Sequence, residues 1–288
     1  MFFASFRSGE KSSVAIQANA KYFNARWWKA ALSSRLNDAV TSIRFAPYET
    51  RLTVNGIGFN FAVTTPLAKN WYARHANIHS HEMDAIALLG LIDATVFECG
   101  GHHGRDCILL SKMVGDEGKV VSFEPFPENF DALQKNLEIN QISNTVAINA
   151  AVGAKPGVLH IKSRSNAKVT SRGGIAVPVV TLDEWAETNT VWPDVIKIDV
   201  EGFEFEVLRG AEKILRRTPA LSIEIHCDIV GEFGAEPEDI WGLIDITKYD
   251  IWIQRNDGVA AIPLVQTTKL EGRPHLLFLP KDRHATRL

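Results

Sequence analysis

The sequence predicts an α/β fold built on a doubly wound, mostly parallel sheet. From about residue 82, short apolar runs alternate with segments of roughly ten residues that have helical periodicity. The apolar runs are hydrophobic at nearly every position, as is typical of strands that are covered on both faces. A glycine-rich segment, VFECGGHHGRD (96–106), joins the first of these strands to its helix. In such a fold the ligand binds at the carboxyl ends of the strands.

The elements follow one another in a regular order. The predicted strands occupy residues 94–100, 119–125, 145–152, 194–200, 220–226, 249–255 and 275–281. The predicted helices are Met83–Leu91, Arg105–Met113, Glu128–Ile139, Glu204–Arg216 and one near Glu238–Thr247. A segment with hairpin character, VLHIKS (158–163), follows the third strand. Right-handed crossovers between parallel strands place the helices on both faces of the sheet.

Residues 1–80 differ in character from the rest. Apolar and aromatic residues recur there at near-helical spacing between basic residues, which predicts an amphipathic helix that packs on protein or, alternatively, lies on a membrane surface. They are Tyr22, Phe23, Trp27, Trp28, Leu32 and Leu36. The Asn-Gly pair in RLTVNGIGFNFAV (51–63) predicts a β-hairpin. We therefore expect an N-terminal extension, 1–80, that acts as a lid or contacts a second copy in a homodimer, and a main domain, 81–288.

Composition narrows the class of protein. The chain of 288 residues is 45% hydrophobic with a net charge of −3, which is typical of a globular domain and does not favour nucleic acid as a partner. Three cysteines are too few for a disulfide framework, and their spacing resembles no zinc site. The N-terminus lacks the apolar core of a signal peptide, and no apolar run is long enough to span a bilayer. We expect a cytoplasmic protein without a transmembrane segment.

The glycine-rich loop is the most informative segment. Gly100, Gly101 and Gly104 lie between a strand and a helix, where glycines allow a tight turn and the close approach of a ligand. The dinucleotide fingerprint G-x-G-x-x-G fails because His102 stands at its third position, which argues against an NAD-linked oxidoreductase. The loop opens on Glu98, which suits a ligand that carries a carboxylate and an ammonium group.

The next two strands extend this binding site. Glu124 ends the second strand, 26 residues after Glu98, where a carboxylate can accept hydrogen bonds from both hydroxyls of a ribose. The third strand ends NAAVG (149–153), and the small residues around Asn149 and Ala151 leave room for an adenine ring. The predicted ligand is therefore an adenosine derivative with an amino-acid moiety.

The motifs described so far resemble those of the FkbM family of methyltransferases. The resemblance spans about residues 82–227 and depends on VFECGGHHG, VVSFEP, NAAVG, TLDEW, DVIKIDVEGFEFEVLRGAE and LSIEIH, in that order. It implies a Rossmann-like class I methyltransferase fold, S-adenosyl-L-methionine as cofactor, and methyl transfer, usually to a hydroxyl of a small molecule or glycan. The family more often has Asp in place of Glu98 and Ala-Asn-Ile in place of Gly101, His102 and His103.

Two later strands carry the candidate catalytic residues. Alternation along DVIKIDVEGFE puts Lys197, Asp199 and Glu201 on one side, and SIEIH does the same for Glu224 and His226. For a hydroxyl acceptor, Asp199 or His226 could remove the proton, with Glu201 beside them. Alternatively Asp199, Glu224 and His226 could bind a divalent cation such as Mg²⁺. Lys197 is expected to form a buried ion pair, for example with Glu201 or Glu224.

Three functions remain open from the sequence. The leading hypothesis is an O-methyltransferase that acts on a hydroxyl of a small molecule or glycan. An N-methyltransferase on the same scaffold is the alternative enzyme, in which Asp199 would position an amine. The third hypothesis is a non-catalytic module that keeps the cofactor pocket and binds a partner through residues 1–80.

Overall fold

The computed structural model describes residues 45–162, 168–169 and 173–284. In chain order its strands are β1 (Tyr48–Val54), β2 (Ile57–Val63), β3 (Asn77–Ile78), β4 (Thr95–Cys99), β5 (Lys119–Phe123), β6 (Thr145–Ile148), β7 (Ala151–Val152), β8 (Gly157–Lys162), β9 (Lys168–Val169), β10 (Ile175–Val180), β11 (Val195–Ile198), β12 (Ala220–Glu224), β13 (Tyr249–Gln254), β14 (Ile262–Pro263) and β15 (His275–Pro280). The α-helices are α1 (Pro66–Trp71), α2 (His81–Ala87), α3 (Arg105–Val114), α4 (Pro127–Ile139), α5 (Leu182–Asn189), α6 (Glu204–Arg209), α7 (Glu212–Arg216), α8 (Ile240–Leu243) and α9 (Lys281–His284). Short 3-10 helices cover Val230–Phe233, Pro237–Asp239 and Ile246–Lys248. The amphipathic helix predicted around Trp27, Trp28, Leu32 and Leu36 lies outside the described residues.

The central sheet has eight strands in the order β14-β13-β15-β12-β11-β4-β5-β6. Strands β6, β5, β4, β11 and β12 run parallel, and β15 is antiparallel to both of its neighbours, β12 and β13. The chain builds one half of the sheet from β4 outward to β6 and then returns to build the other half from β11. The predicted doubly wound, mostly parallel sheet is thus confirmed, and the order of the strands reverses between β4 and β11.

Both faces of this sheet are covered, because successive strand residues point to opposite sides. Along β4, Val96 belongs to one hydrophobic core and Phe97 to the other. The core around Val96 includes α3 and the hairpin residue Phe61, and the core around Phe97 includes Phe205 of α6. The described part of the N-terminal region therefore shares a core with the sheet. The division of the chain at residue 80 stays a prediction.

The hairpin predicted from the Asn-Gly pair is confirmed. Strand β1 pairs antiparallel with β2, and Asn55 and Gly56 between them have φ values of 46° and 81°. A tight two-residue hairpin turn of type I′ requires such positive φ values. On the other side, Asn136 of α4 accepts a hydrogen bond from the Ala62 backbone at 2.6 Å. This contact fixes the hairpin against the helix that follows β5.

The third predicted strand is shorter than expected. Strand β6 ends at Ile148, because Asn149 leaves the sheet and donates hydrogen bonds to the carbonyl oxygens of Glu124 and Pro125. Residues 151–152 instead pair with β10 in a second sheet of order β7-β10-β8-β9. The segment with hairpin character, 158–163, contributes β8 to this second sheet.

Two predicted helices also differ from the structure. The helix predicted over 204–216 is divided after Arg209, because Gly210 packs against the backbone of Gly153, where an added Cβ would lie 2.1 Å from the carbonyl oxygen. The helix predicted near 238–247 consists of α8 between two short 3-10 helices. Among the described residues, no helix combines the length and apolar character that crossing a bilayer requires.

Candidate active site

A cavity of about 170 Å³ opens at the edge of the sheet where the parallel strands end. It is lined by Gly100 after β4, by Asp199 after β11 and by Glu224 at the end of β12. His275 reaches the same edge because β15 is antiparallel to β12 and pairs its first residue with Glu224. A cavity therefore lies where this fold class binds its ligands.

The glycine-rich loop beside the cavity is packed tightly against its neighbours. Gly100 has a φ of +99°, and a Cβ on it would lie 1.8 Å from the Asp199 carbonyl oxygen. A Cβ on Gly101 would lie 2.2 Å from Ser122 Oγ. Gly104, with a φ of +86°, is the N-cap of α3. Packing within the protein therefore requires glycine at 100 and 101, in addition to any requirement that a ligand imposes.

Glu98 lies beneath this loop and is completely buried. Its Oε2 accepts a hydrogen bond of 2.6 Å from Ser122 Oγ, and the thiol of Cys107 also faces the carboxylate. Its Oε1 has no hydrogen-bond partner among the described residues. Burial raises the pKa of Glu98 to about 7, against the opposing effects of the Lys197 charge and the Ser122 hydrogen bond. The carboxylate is therefore a buried acceptor that is only partly satisfied by the protein.

Glu124 holds the loop from the end of β5. It is 3% exposed and accepts hydrogen bonds of 2.8 Å from the backbone amides of His102 and Phe126. Burial raises its pKa to about 7. Asn149 is half-buried beside it, whereas Ala151 packs in the core of the second sheet. Two of the predicted cofactor-binding residues, Gly100 and Gly101, line the cavity. Four others lie behind or beside the glycine-rich loop: Glu98, Gly104, Glu124 and Asn149.

Asp199 and Glu201 approach the site from a turn, and not from the strand as predicted. Strand β11 ends at Ile198, and Glu201 and Gly202 have φ values of 53° and 97° that turn the chain back. The prediction that Glu201 shares one side of a strand with Lys197 and Asp199 was therefore wrong. The turn nevertheless brings Glu201 Oε2 to 3.3 Å and Asp199 Oδ1 to 3.9 Å from His226 Nε2.

His226 lies at the centre of a group of carboxylates in the loop after β12. It is 1% exposed, and its Nδ1 lies 2.8 Å from Glu204 Oε1. Its Nε2 faces Glu201, Glu224 at 3.8 Å and Asp199. Burial disfavours the charged ring, but the Glu204 hydrogen bond and the negative charges around it raise the pKa of His226 to about 9. With these groups alone, the imidazole is a cation at neutral pH.

Lys197 forms a buried ion pair, but with other partners than those expected. Its Nζ lies 3.3 Å from Glu82, 3.4 Å from Asp106 and 3.7 Å from Asp199. These carboxylates raise the pKa of Lys197 well above its usual value even though burial opposes the charge. The residue therefore ties α2 and α3 to the end of β11, and its positive charge lies beside three carboxylates that line the cavity.

Several residues that line the cavity are not among the site residues predicted from the sequence. They are Tyr72, Glu82, His102, Arg105, Asp106, Asp257 and His275. Tyr72 directly follows α1; its hydroxyl lies 2.6 Å from His102 Nδ1, and its ring lies under the Arg105 guanidinium. In the sequence, the charged pair Arg105 and Asp106 directly after the glycine-rich loop could have indicated part of this set. The residues around Tyr72 and His275 form no pattern that predicts a place in the cavity.

The donor atoms also allow a metal ion. Asp199, Glu224 and His226 offer ligand atoms that all lie within 4.8 Å of one another. Two carboxylates and an imidazole suit a divalent cation. Burial and the Asp199 charge raise the pKa of Glu224 to about 7, against the opposing effects of the His275, His226 and Lys197 charges.

Comparison with known proteins places the chain in a family. The Methyltransferase FkbM domain matches residues 98–251, which is more than half of the chain. The hexuronic acid methyltransferase AglP of Haloferax volcanii is 27% identical over 176 residues, covering 58% of this chain and 69% of that protein. Among solved structures, cofactor-bound Rv0187 from MTB is similar with 16% identity and a TM-score of 0.42 over 90% of this chain and 91% of its own. An O-methyltransferase of Thermotoga maritima is similar with 11% identity and a TM-score of 0.41 over 80% and 77%.

The residues at the glycine loop fit the cofactor of this family. Glu98 offers a buried carboxylate oxygen that lacks a donor, which suits an ammonium group. The first backbone amides of α3 have no partner within the helix and suit a carboxylate. Glu124 retains acceptor capacity for ribose hydroxyls, since each carboxylate oxygen can accept two hydrogen bonds. The cofactor, when bound, supplies an activated methyl group on its sulfonium. The chain belongs to the FkbM methyltransferase family and is an S-adenosylmethionine-dependent methyltransferase.

Proposed function

We propose that the enzyme methylates a hydroxyl oxygen of a sugar, either in a free small molecule or within a glycan. The observation that carries the proposal is the contact between the cofactor loop and the candidate acids. Gly100 packs directly on the backbone of Asp199, whose carboxylate is 31% exposed and lines the same cavity. An acceptor oxygen in this cavity would therefore meet a proton acceptor beside the cofactor loop.

Asp199 is the stronger candidate for the base. An imidazole with a pKa of about 9 is already protonated at neutral pH, so His226 cannot accept a proton there unless a cation displaces its own. Asp199 lies at the cavity surface, while Glu201 and Glu224 face the same imidazole ring. In this mechanism the charged His226 holds the carboxylates in place and Asp199 takes the acceptor proton.

A divalent cation is the second mechanism that the same residues support. Asp199, Glu224 and His226 would hold Mg²⁺ or Mn²⁺, which would lower the pKa of an acceptor hydroxyl. Removal of metal by a chelator separates the two mechanisms. Loss of activity with EDTA and its recovery with Mg²⁺ would support the cation, and full activity in EDTA would support Asp199 as an unaided base.

The name of the archaeal relative supports an acidic sugar as the acceptor class. The test uses labelled S-adenosylmethionine with p-nitrophenyl β-glucuronide, the neutral p-nitrophenyl β-glucoside as its matched control, and glucosamine. With either p-nitrophenyl glycoside, a labelled product that survives mild alkali is a methyl ether and supports transfer to a hydroxyl. A product that alkali cleaves is an ester of the carboxylate and would overturn the hydroxyl assignment.

The same assay separates the alternatives. Label on the nitrogen of glucosamine would favour the N-methyltransferase. Cofactor binding by calorimetry without transfer to any acceptor would favour the non-catalytic module. The homodimer proposed for residues 1–80 is tested by sedimentation of the chain with and without residues 1–40.

A further inference from the structure

We infer that Glu204 is a positioning residue for methyl transfer, which acts by fixing the imidazole ring of His226. This inference rests on the proposed function, since it concerns the same site. Glu204 is the first residue of α6 and is completely buried. It does not line the cavity, so any part that it takes in the reaction must be transmitted through His226.

One oxygen of Glu204 makes both of its hydrogen bonds. Oε1 lies 2.8 Å from His226 Nδ1 and accepts the backbone N–H of Gly202 at 2.8 Å. The same atom therefore holds the turn that carries Glu201 and the ring that Glu201 faces. Because the two are tied to one point, the distance between them is set by Glu204.

The Glu204 contact decides which nitrogen His226 presents to Asp199, which lines the cavity. A hydrogen bond at one ring nitrogen fixes the ring orientation and directs the other nitrogen. With Nδ1 engaged by Glu204, Nε2 faces Asp199 and Glu201, at 3.9 and 3.3 Å. This arrangement serves either mechanism, because a ring that rotates would no longer hold the carboxylates or offer a ligand atom to a cation.

The free-energy cost of burying the Glu204 side chain supports a role for this residue beyond packing. Burying a carboxylate completely is unfavourable unless its charge is matched, and an apolar residue of similar size would avoid that cost. Oε2 of Glu204 has no hydrogen-bond partner among the described residues. Among the described residues, the basic side chain at hydrogen-bond distance from Glu204 is His226, so the pair is built around the ring. Glu204 lies within IKIDVEGFEFEVLRGA, one of the motifs that carry the resemblance to the family.

The test is a double-mutant cycle with Glu204→Gln and His226→Gln, and with Glu206→Gln as the matched control. Glutamine keeps the size of Glu204 and an acceptor oxygen but removes the charge. Glu206 lies two residues along the same helix and pairs with Arg209, away from the ring. We expect Glu204→Gln to lower kcat by about 10- to 100-fold, the usual loss for a residue behind a ligand or base. The Kd for S-adenosylmethionine should change by less than about threefold, and Glu206→Gln should behave as the native chain.

Non-additivity distinguishes positioning from a structural role. If Glu204 acts through His226, the double variant should have a kcat within about threefold of His226→Gln alone. Losses that multiply, or an unchanged kcat in Glu204→Gln, would overturn the inference. If Glu204→Gln fails to fold, Glu204→Asp replaces it in the cycle, since it keeps the charge but withdraws the oxygen by one methylene.

A proton NMR measurement tests the contact between Glu204 and His226 without any methyl acceptor. A charge-assisted hydrogen bond from Nδ1 gives a proton resonance far downfield of the amides, which is assigned by its absence in His226→Gln. This resonance should move upfield or vanish in Glu204→Gln and persist in Glu206→Gln. An identical resonance in Glu204→Gln would overturn the inference. If no acceptor is methylated, the proposed function fails for those acceptors, and this spectrum still decides the Glu204 contact.

Discussion

Replacing Glu98 by glutamine should change the free energy of unfolding, relative to that of the native chain, in a pH-dependent way. This difference should be more favourable to the variant at pH 8 than at pH 5. The side chain is completely buried, and burial raises its pKa from the ordinary value of 4.5 to about 7. The folded protein therefore binds the proton more tightly than the unfolded chain. The contribution of Glu98 to stability is complete below about pH 4.5 and is lost as the pH rises through about 7.

The magnitude follows from the same displacement of the pKa. One pKa unit is worth about 1.4 kcal/mol, so the native chain loses roughly 2–3 kcal/mol at this site between pH 5 and pH 8. Glutamine does not titrate, and its carbonyl oxygen can keep the 2.6 Å hydrogen bond from Ser122. The free energy of unfolding of the variant, relative to the native chain, should therefore rise by that amount over this pH range.

Urea unfolding at pH 5, 6, 7 and 8 measures the difference, and Glu138→Gln is the control. Glu138 is 75% exposed and pairs with the exposed Lys135 at 3.4 Å, so its substitution should have nearly the same effect at each pH. A Glu98→Gln variant whose relative stability is flat or falls with increasing pH would refute the reasoning. The variant should also bind S-adenosylmethionine more weakly, because the carboxylate proposed to meet its ammonium group has lost its charge.

Three further predictions follow from the geometry of the cavity. Asp199→Asn should lower kcat by roughly 100-fold while calorimetry shows nearly native cofactor affinity, and the exposed Asp250→Asn should have native kcat. Gly100→Ala should lower the Tm or the yield of folded protein sharply, since its Cβ would meet a carbonyl oxygen at 1.8 Å. Gly115→Ala, with open space but with φ +78° and ψ −174°, should cost about 1–3 kcal/mol in urea unfolding. NAD should leave the Tm unchanged while S-adenosylmethionine raises it, and equal shifts would contradict the cofactor assignment.

Much of the fold could be predicted because it depends on local patterns. Uninterrupted apolar runs predicted the parallel strands, and β4, β5 and β12 lie within one or two residues of their predicted bounds. The Asn-Gly pair predicted the hairpin, since only a few turn conformations join two strands through two residues. The elements that differed were decided by contacts between distant segments. Gly210 ends its helix because Gly153 lies against it, and no periodicity in 204–216 reveals that contact.

The candidate site was likewise predicted in part. The order of the strands already indicated Glu98, Asp199 and Glu224 as neighbours, because parallel strands deliver their carboxyl ends to one edge of the sheet. Which side chains contact one another became visible in the folded chain alone. His226 bonds to Glu204 across 22 residues, and Lys197 pairs with Glu82 from the N-terminal side. Such pairings depend on how helices and turns close over the sheet, and burial then sets the charge of each group, so neither can be obtained from spacing along the chain.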